Sequence, residues 1–154
     1  MSDPQWYPRD VEPWAPSPAP VLLAAWWKRL VALVIDNVLL YAVTTLVALQ
    51  ATSSSTVNDL RLLAELALTF LYFGYLNGVH GQTVGKRLLG IRVVDADTGM
   101  AIGLKRGLAR YGVVALLSMA LFVPELIDGL WPLRDPRRQA WHDKVVRSLV
   151  LDAR

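Results

Sequence analysis

Two long apolar runs dominate the pattern of hydrophobic and polar positions along the chain. The first covers about residues 30–49 (LVALVIDNVLLYAVTTLVAL) and the second about residues 60–79 (LRLLAELALTFLYFGYLNGV). A helix of about 20 residues crosses a hydrocarbon core of about 30 Å, whereas soluble core helices seldom need an apolar run of that length. The pattern therefore predicts two transmembrane helices.

A third apolar segment, at about residues 108–133, does not have the pattern of a continuous span. Its apolar stretch ends in residues that interrupt a helix or a hydrocarbon-facing surface: Pro124, Glu125, Asp128, Gly129 and Pro132. Pro124 lacks a backbone donor and clashes with the preceding turn, so a kinked helix and two short helices folding back in the bilayer both fit. We therefore expect a proline-broken or re-entrant third segment.

The segments between and after the apolar runs carry β signals. Residues 89–95 are rich in β-branched side chains, Asp97-Thr-Gly99 is a turn signal, and residues 100–102 are able to form a return strand. Residues 145–151 (VVRSLVL) have similar β propensity. The predicted fold class is thus an all-α membrane protein with a small cytoplasmic β-hairpin or three-stranded sheet.

Composition and length agree with one membrane domain. The chain has 154 residues, of which 54% are hydrophobic, more than is usual for a soluble domain. Six prolines fall in the first 20 residues without an apolar run, a composition typical of a disordered tail. We predict a cytoplasmic tail at 1–25, a membrane domain at 26–151 with its cytoplasmic loop at 80–107, and a short tail at 152–154.

The distribution of basic residues predicts the orientation. Lys28 and Arg29 precede the first apolar run, and residues 51–59 between the two runs contain no Lys or Arg. The loop after the second run contains six basic residues: Lys86, Arg87, Arg92, Lys105, Arg106 and Arg110. Because basic residues stay on the cytoplasmic side, we expect a cytoplasmic N-terminus and loop. A similarly basic tail favours a re-entrant third segment, since a third full crossing would place that tail outside.

The basic excess also bears on partners. Lys and Arg number 16 against 13 Asp and Glu, and many lie beside the apolar runs. Anionic lipid headgroups attract such residues by about 1 kcal/mol each, so the bilayer surface, not nucleic acid, is the expected partner. The chain has no cysteine and no metal-ligand or catalytic-triad spacing, so we expect neither an enzyme nor a cofactor or metal site.

Several polar and small residues are candidates for a role inside the membrane. Asp36 lies roughly 10 Å inside the first helix, where a carboxylate needs a partner such as Arg110. It either binds a cation or proton or, in the simpler interpretation, forms a structural ion pair. Gly74 and Gly78 have a small-xxx-small spacing that favours close helix packing. Gly85 is a further candidate for helix-packing support and is expected to loosen the exit from the second helix. The GQTVGKR run lacks phosphate-loop spacing, so we expect no nucleotide site there.

Together these residues resemble the RDD family of membrane proteins. The resemblance covers about residues 26–151 and rests on the start of the first helix, on GQTVGKRLLGIRVVDADTG and on RRQAWHDKVVRSLVL. The arginine and two aspartates that give the family its name fall on Arg29, Asp36 and Asp143. Family tails usually have HDxxAGT where this chain has HDKVVRS. We expect Asp143 to orient the tail by pairing with a loop residue such as Lys86 or Arg87.

The resemblance implies a bacterial cytoplasmic membrane protein of poorly defined activity, for which transport of unidentified ligands has been suggested. We therefore hold two hypotheses from the sequence. The first is transport of a small ion or solute by a homo-oligomer, because two or three helices rarely enclose a path alone. The second is a non-catalytic accessory or assembly subunit of a larger membrane complex.

Overall fold

The computed structural model describes residues 22–48, 55–119 and 123–153. The predicted N-terminal tail therefore lies almost wholly outside the described residues. The described elements, in chain order, are α1 (Trp26–Ala48), α2 (Ser55–Tyr75) with a π-helical extension (Leu76–His80), α3 (Val84–Leu88), β1 (Ile91–Asp95), α4 (Leu104–Met119), α5 (Val123–Leu130) with a 3-10 turn (Trp131–Leu133), α6 (Trp141–Val145) and β2 (Ser148–Asp152).

Two helices are long and apolar enough to cross a membrane: α1, and α2 together with its extension. Within residues 26–47 of α1, the buried positions are Ala32, Asp36 and Leu40, which are four apart and form one stripe. Large apolar side chains cover most of the remaining surface of α1. A soluble helix of this kind would bury a wider apolar face, so the exposed apolar surface of α1 agrees with its being a candidate membrane span.

The sheet has two antiparallel strands. Ile91 of β1 lies opposite Asp152 of β2, and Asp95 lies opposite Ser148. On the other side of β2, Leu23 forms an isolated bridge with Leu151. Buried apolar residues from all three segments pack beneath the sheet: Ala24, Ala32, Ile91, Val93, Ile102 and Val150. The segments before α1, after α3 and after α6 therefore share one small core.

The predicted hairpin is wrong, whereas the β propensity of the tail is confirmed. Residues 100–102 form no strand; Asp95 instead closes a turn, because its amide donates to Met100 O (2.7 Å) and Asp95 Oδ1 accepts from Thr98 N (2.8 Å). The chain then leaves the sheet, since Gly103, with φ +84°, donates its amide to Gly78 O on the α2 extension (2.9 Å). The tail strand takes the place that the hairpin's return strand was expected to occupy.

Glycines allow α2 and α4 to pack closely. A Cβ on Gly107 of α4 would lie 2.3 Å from Gly74 O and 2.4 Å from Gly78 Cα. A Cβ on Gly78 would in turn lie 2.7 Å from Gly103 O. Gly74 and Gly78 thus pack against another helix, as their spacing predicts, and Gly107, four residues after Gly103, is their partner on α4.

The predicted third segment consists of two helices, with residues 120–122 between them outside the described residues. At a rise of about 1.5 Å per residue, the 16 residues of α4 span about 24 Å, less than a hydrocarbon core. Pro124 lies in the first turn of α5, where a missing amide donor costs little, and Pro132 follows the end of that helix. Within the described residues, neither α4 nor α5 reaches the length of a membrane span.

Candidate functional site

Asp36 is the deepest charged residue of α1 and is only 1% exposed. Its Oδ1 accepts hydrogen bonds from Gly85 N (2.7 Å) and Tyr72 Oη (2.8 Å), and its Oδ2 accepts one from Thr83 Oγ1 (2.5 Å). These donors replace the hydration that a buried carboxylate loses. The predicted partner, Arg110, is therefore wrong: the donors to Asp36 are an amide and two hydroxyl groups.

The short helix α3 brings these donors to Asp36. Thr83 precedes α3 in an extended conformation, and its hydroxyl accepts from Lys86 N (3.4 Å), so it caps the helix start. Gly85 follows in the first turn and packs directly on α1, where a Cβ would lie 2.2 Å from Ala32 O. The glycine at this position is therefore required for the close backbone approach between α3 and α1.

Lys86 is the next residue of α3, and its side chain turns inward. Its ammonium donates to the side-chain oxygen of Asn77, which is itself buried on the α2 extension. Burial lowers the pKa of Lys86 well below its usual range, and the nearby Arg110 adds to this effect. The expected pairing of Lys86 or Arg87 with Asp143 is wrong: Lys86 contacts an amide, and Arg87 is exposed.

Asp143, which is 0% exposed, is held between two arginines. Its Oδ2 accepts from Arg29 Nη1 (3.0 Å) and from Ala140 N (3.1 Å), so it also caps α6. Its Oδ1 accepts from Arg110 Nε (3.0 Å), Arg110 Nη2 (2.6 Å) and Ser148 Oγ (3.2 Å). Burial alone would raise the pKa of Asp143, but the arginines hold it well below its usual range. The carboxylate is therefore ionised and joins α1, α4 and α6.

A second carboxylate, Asp128 of α5, joins this network through His142. Asp128 Oδ1 accepts from His142 N (3.1 Å), and Asp128 Oδ2 lies 2.5 Å from His142 Nδ1. Arg110 Nη2 lies 2.9 Å from His142 Nε2. A guanidinium only donates, so Nε2 accepts and Nδ1 carries the proton that faces Asp128. The sequence showed Asp128 only as an interruption of an apolar segment.

The three residues that give the family its name thus lie in buried or partly buried polar contacts. Arg29 and Asp36 belong to α1, and Asp143 belongs to α6. The model of the RDD family matches residues 23–147. The chain belongs to the RDD family. Because two apolar helices also fit a membrane, we treat it as an RDD membrane protein.

Curated relatives of this RDD protein include mycobacterial proline-rich antigens. A proline-rich antigen homolog of Mycobacterium tuberculosis is 30% identical over 89 residues, which are 56% of this chain and 34% of the relative. The proline-rich antigen of Mycobacterium leprae is 30% identical over 82 residues, or 51% of this chain and 30% of the relative. The chain thus spans about a third of the length of these relatives. No solved structure matches it.

The tail of this RDD protein differs from the family pattern HDxxAGT, and the structure explains part of the difference. Ser148 stands where the family pattern has threonine and keeps a hydroxyl bond to Asp143 Oδ1 (3.2 Å). Arg147 stands where the pattern has glycine and adopts φ +49°, a left-handed conformation that glycine enters without cost. The threonine position therefore retains its hydrogen-bonding group, while the glycine position carries an arginine under strain.

In the polar cluster of this RDD protein, the carboxylate oxygens have hydrogen-bond donors, whereas two donor atoms of Arg29 have no acceptor in the described part of the chain. Every carboxylate oxygen of Asp36 and Asp143 accepts at least one hydrogen bond. Among the described residues, the buried side-chain atoms without a partner are both donors, Arg29 Nε and Arg29 Nη2. The described residues include no group of three His, Cys, Asp or Glu side chains arranged for a metal ion.

Proposed function

We propose that this RDD protein is a multi-pass protein of the bacterial cytoplasmic membrane that moves a small ion, in the simplest case a proton, as an oligomer. The observation that carries the proposal is the largely buried Lys86 ammonium, which contacts Asn77 and is near enough to Asp36 and Asp143 to interact electrostatically with both. Asp36 lies on α1, one of the two candidate membrane spans, and ionisable groups within such spans are costly and commonly mark proton or ion routes.

The sheet supports an even number of crossings. Residues 22–24, 91–95 and 148–152 contact one another, and backbone hydrogen bonds of a sheet do not extend across a bilayer. All three segments therefore lie on one side, with α1 and α2 crossing between the first and the second. The segment from α4 to α5 then enters and leaves on the same side. The many Lys and Arg residues of these segments favour the cytoplasm.

Lys86 has the properties of a group that exchanges a proton. Its neutral form is favoured by burial and by Arg110 and Arg29, whereas its charged form is favoured by Asp143 and Asp36. These opposing influences allow a small movement of α3 to change the proton affinity of the amine. Because α1 and α2 alone do not enclose a path across the membrane, the route requires neighbouring copies.

The test is proton flux into proteoliposomes that contain a pH-sensitive dye, driven by an imposed membrane potential. We expect Lys86→Met to abolish the flux while the protein still folds, because the proton-exchanging amine is lost. Arg87→Met, the adjacent exposed residue of the same helix, is the matched control and should leave the flux unchanged. Asp36→Asn should also abolish it without loss of the protein. Equal flux in Lys86→Met and the unaltered chain would reject the proposal.

A second candidate function is that of an accessory subunit, and the outer surface of α1 favours it. Apart from its stripe of three buried residues, α1 leaves a broad apolar face free for another helix. Purification of the tagged full chain in mild detergent, followed by mass spectrometry, separates the two candidates. A stoichiometric partner would make this protein a subunit of a larger complex, whereas copies of the chain alone favour ion movement.

A further inference from the structure

A shallow pocket of about 240 Å³ lies between the turn after β1 and the segment around α6. It is several times larger than the volume of about 30 Å³ that one water molecule occupies. Polar and charged groups dominate its lining, which consists of Ala96, Asp97, Arg137, Gln139, Lys144 and Arg147. None of these residues takes part in the ion movement proposed above.

The lining carries three basic side chains against one acidic side chain, Asp97. Lys144 is already engaged, because its ammonium pairs with Asp135 and its hydrogen bond lowers the pKa of that carboxyl group. Within the part of the chain that the structure describes, the guanidinium groups of Arg137 and Arg147 make no hydrogen bond or ion pair. The pocket therefore presents two guanidinium groups that no described carboxylate pairs with, although Asp97 also lines it.

The backbone at Arg147 is held in a costly conformation. Its φ of +49° costs a side-chain-bearing residue about 1 kcal/mol or more, whereas glycine adopts it freely. The carbonyl of Arg147 is fixed by Ala96 N (2.9 Å) and Arg106 Nη2 (3.0 Å), and its amide donates to Lys144 O (3.2 Å). The backbone at Arg147 is thus fixed by three hydrogen bonds, while its guanidinium group makes none within the described residues.

A rigid frame with free guanidinium groups is well suited to a tetrahedral anion. Arginine recognises phosphate through two parallel N–H donors, and a preformed frame reduces the entropy lost on binding. Gln139 completes the frame, since its side-chain amide donates to Ser148 O (2.9 Å) and its backbone amide to Asp135 Oδ2 (3.0 Å).

We infer that this pocket binds a phosphate group through Arg137 and Arg147. The group belongs either to an anionic lipid headgroup or to a soluble phosphate compound, and both present the same oxygens to the two arginines. The pocket does not include Lys86 or Asp36, so the inference of phosphate binding does not depend on the proposed ion movement.

The experiment compares four full-length chains: unaltered, Arg147→Gly, Arg137→Gln and, as a control outside the pocket, Arg134→Gln. Calorimetry in a neutral detergent measures the affinity for inorganic phosphate. Native mass spectrometry from phosphatidylcholine nanodiscs with and without phosphatidic acid measures lipid retention. Arg147→Gly removes the strain and the charge together, so its melting temperature should stay equal or rise while binding falls about tenfold or more. A variant that fails to fold would have a lower melting temperature, so loss of folding is distinguishable from the expected result.

The two ligand sources give different outcomes. Phosphate binding that is weakened by Arg147→Gly and Arg137→Gln, but within twofold of normal in Arg134→Gln, assigns a soluble phosphate. Retention of phosphatidic acid with the same variant pattern, without binding of inorganic phosphate, assigns a lipid headgroup. The inference is overturned if neither ligand binds, or if Arg134→Gln weakens binding as much as the pocket variants do.

Discussion

Replacing Gly85 with alanine tests the contact on which the polar cluster is built. A Cβ at this position would lie 2.2 Å from Ala32 O and 3.0 Å from Ala32 C and Cα. All three atoms belong to the backbone of α1, so no side-chain rotation relieves the overlap. The short helix α3 must then move away from α1, which stretches the hydrogen bond from Gly85 N to Asp36.

The size of the effect follows from these distances. Carbon and oxygen atoms approach no closer than about 3.3 Å, so α3 must move by about 1 Å. The bond from Gly85 N to Asp36 Oδ1, now 2.7 Å, then exceeds the range of a hydrogen bond. Overpacking costs about 1–3 kcal/mol, and loss of a hydrogen bond to a buried charge costs about 1.5–3 kcal/mol. The expected loss in the free energy of unfolding is about 3–5 kcal/mol.

Thermal melting of the purified chain in detergent, followed by tryptophan fluorescence, measures this loss. For a chain of this size, the expected loss corresponds to a decrease in melting temperature of roughly 10 °C. Gly112→Ala is the matched control, because its Cβ would meet only Phe70 Cζ at 3.9 Å, an ordinary contact. Our account of Gly85 is refuted if both variants melt at the temperature of the unaltered chain.

Three further perturbations test other parts of the fold. Asp143→Asn leaves two largely buried arginines without a counter-charge and should lower the free energy of unfolding by about 3–5 kcal/mol. The measurements are accumulation of the protein and its melting temperature, and an unchanged melting temperature contradicts the prediction. The hydrogen bond from Arg106 holds the pKa of Asp95 below its usual range. Stability from this pair is therefore present above about pH 4 and lost on acidification below it, and Asp95→Asn should flatten a melting series from pH 7 to pH 3. Gly107→Ala places a Cβ 2.4 Å from Gly78 Cα and should lower the melting temperature by an amount equivalent to about 1–3 kcal/mol; equal melting would show that α2 and α4 can separate freely.

The apolar helices were predictable because the bilayer imposes a local requirement on each of them. A run of about 20 apolar residues carries the signal for a span without reference to the rest of the chain. The helical spacing of Gly74 and Gly78 is similarly local, and it indicated a packing face that the structure places against α4. Arg29 and Asp36 were identifiable as well, because charges in or beside apolar runs stand out, whereas Asp143 was identified through the resemblance to the family.

The partners of those residues were not predictable, because they depend on contacts between distant segments. Arg110 was assigned to Asp36, yet it binds Asp143, because the Tyr72 and Thr83 hydroxyl groups already satisfy Asp36. Hydroxyl donors carry no charge and give no signal in a search for ion pairs. The prediction of a hairpin failed for a related reason. A turn signal favours a hairpin locally, but β1 pairs with β2, which is longer than the expected return strand and more distant in the chain.

The ion pair between Arg29 and Asp143 has a consequence for biosynthesis. The two residues are 114 positions apart, and at about 5–20 residues per second the ribosome adds Asp143 roughly 6–23 s after Arg29. During this interval α1 and α2 exist without the carboxylate that compensates the arginine. A chain whose synthesis stops before Asp143 retains an uncompensated charge at the base of α1, which distinguishes it from the finished protein. The pair thus makes completion of the chain a condition for a stable fold, and truncated products are expected to be removed by membrane proteases.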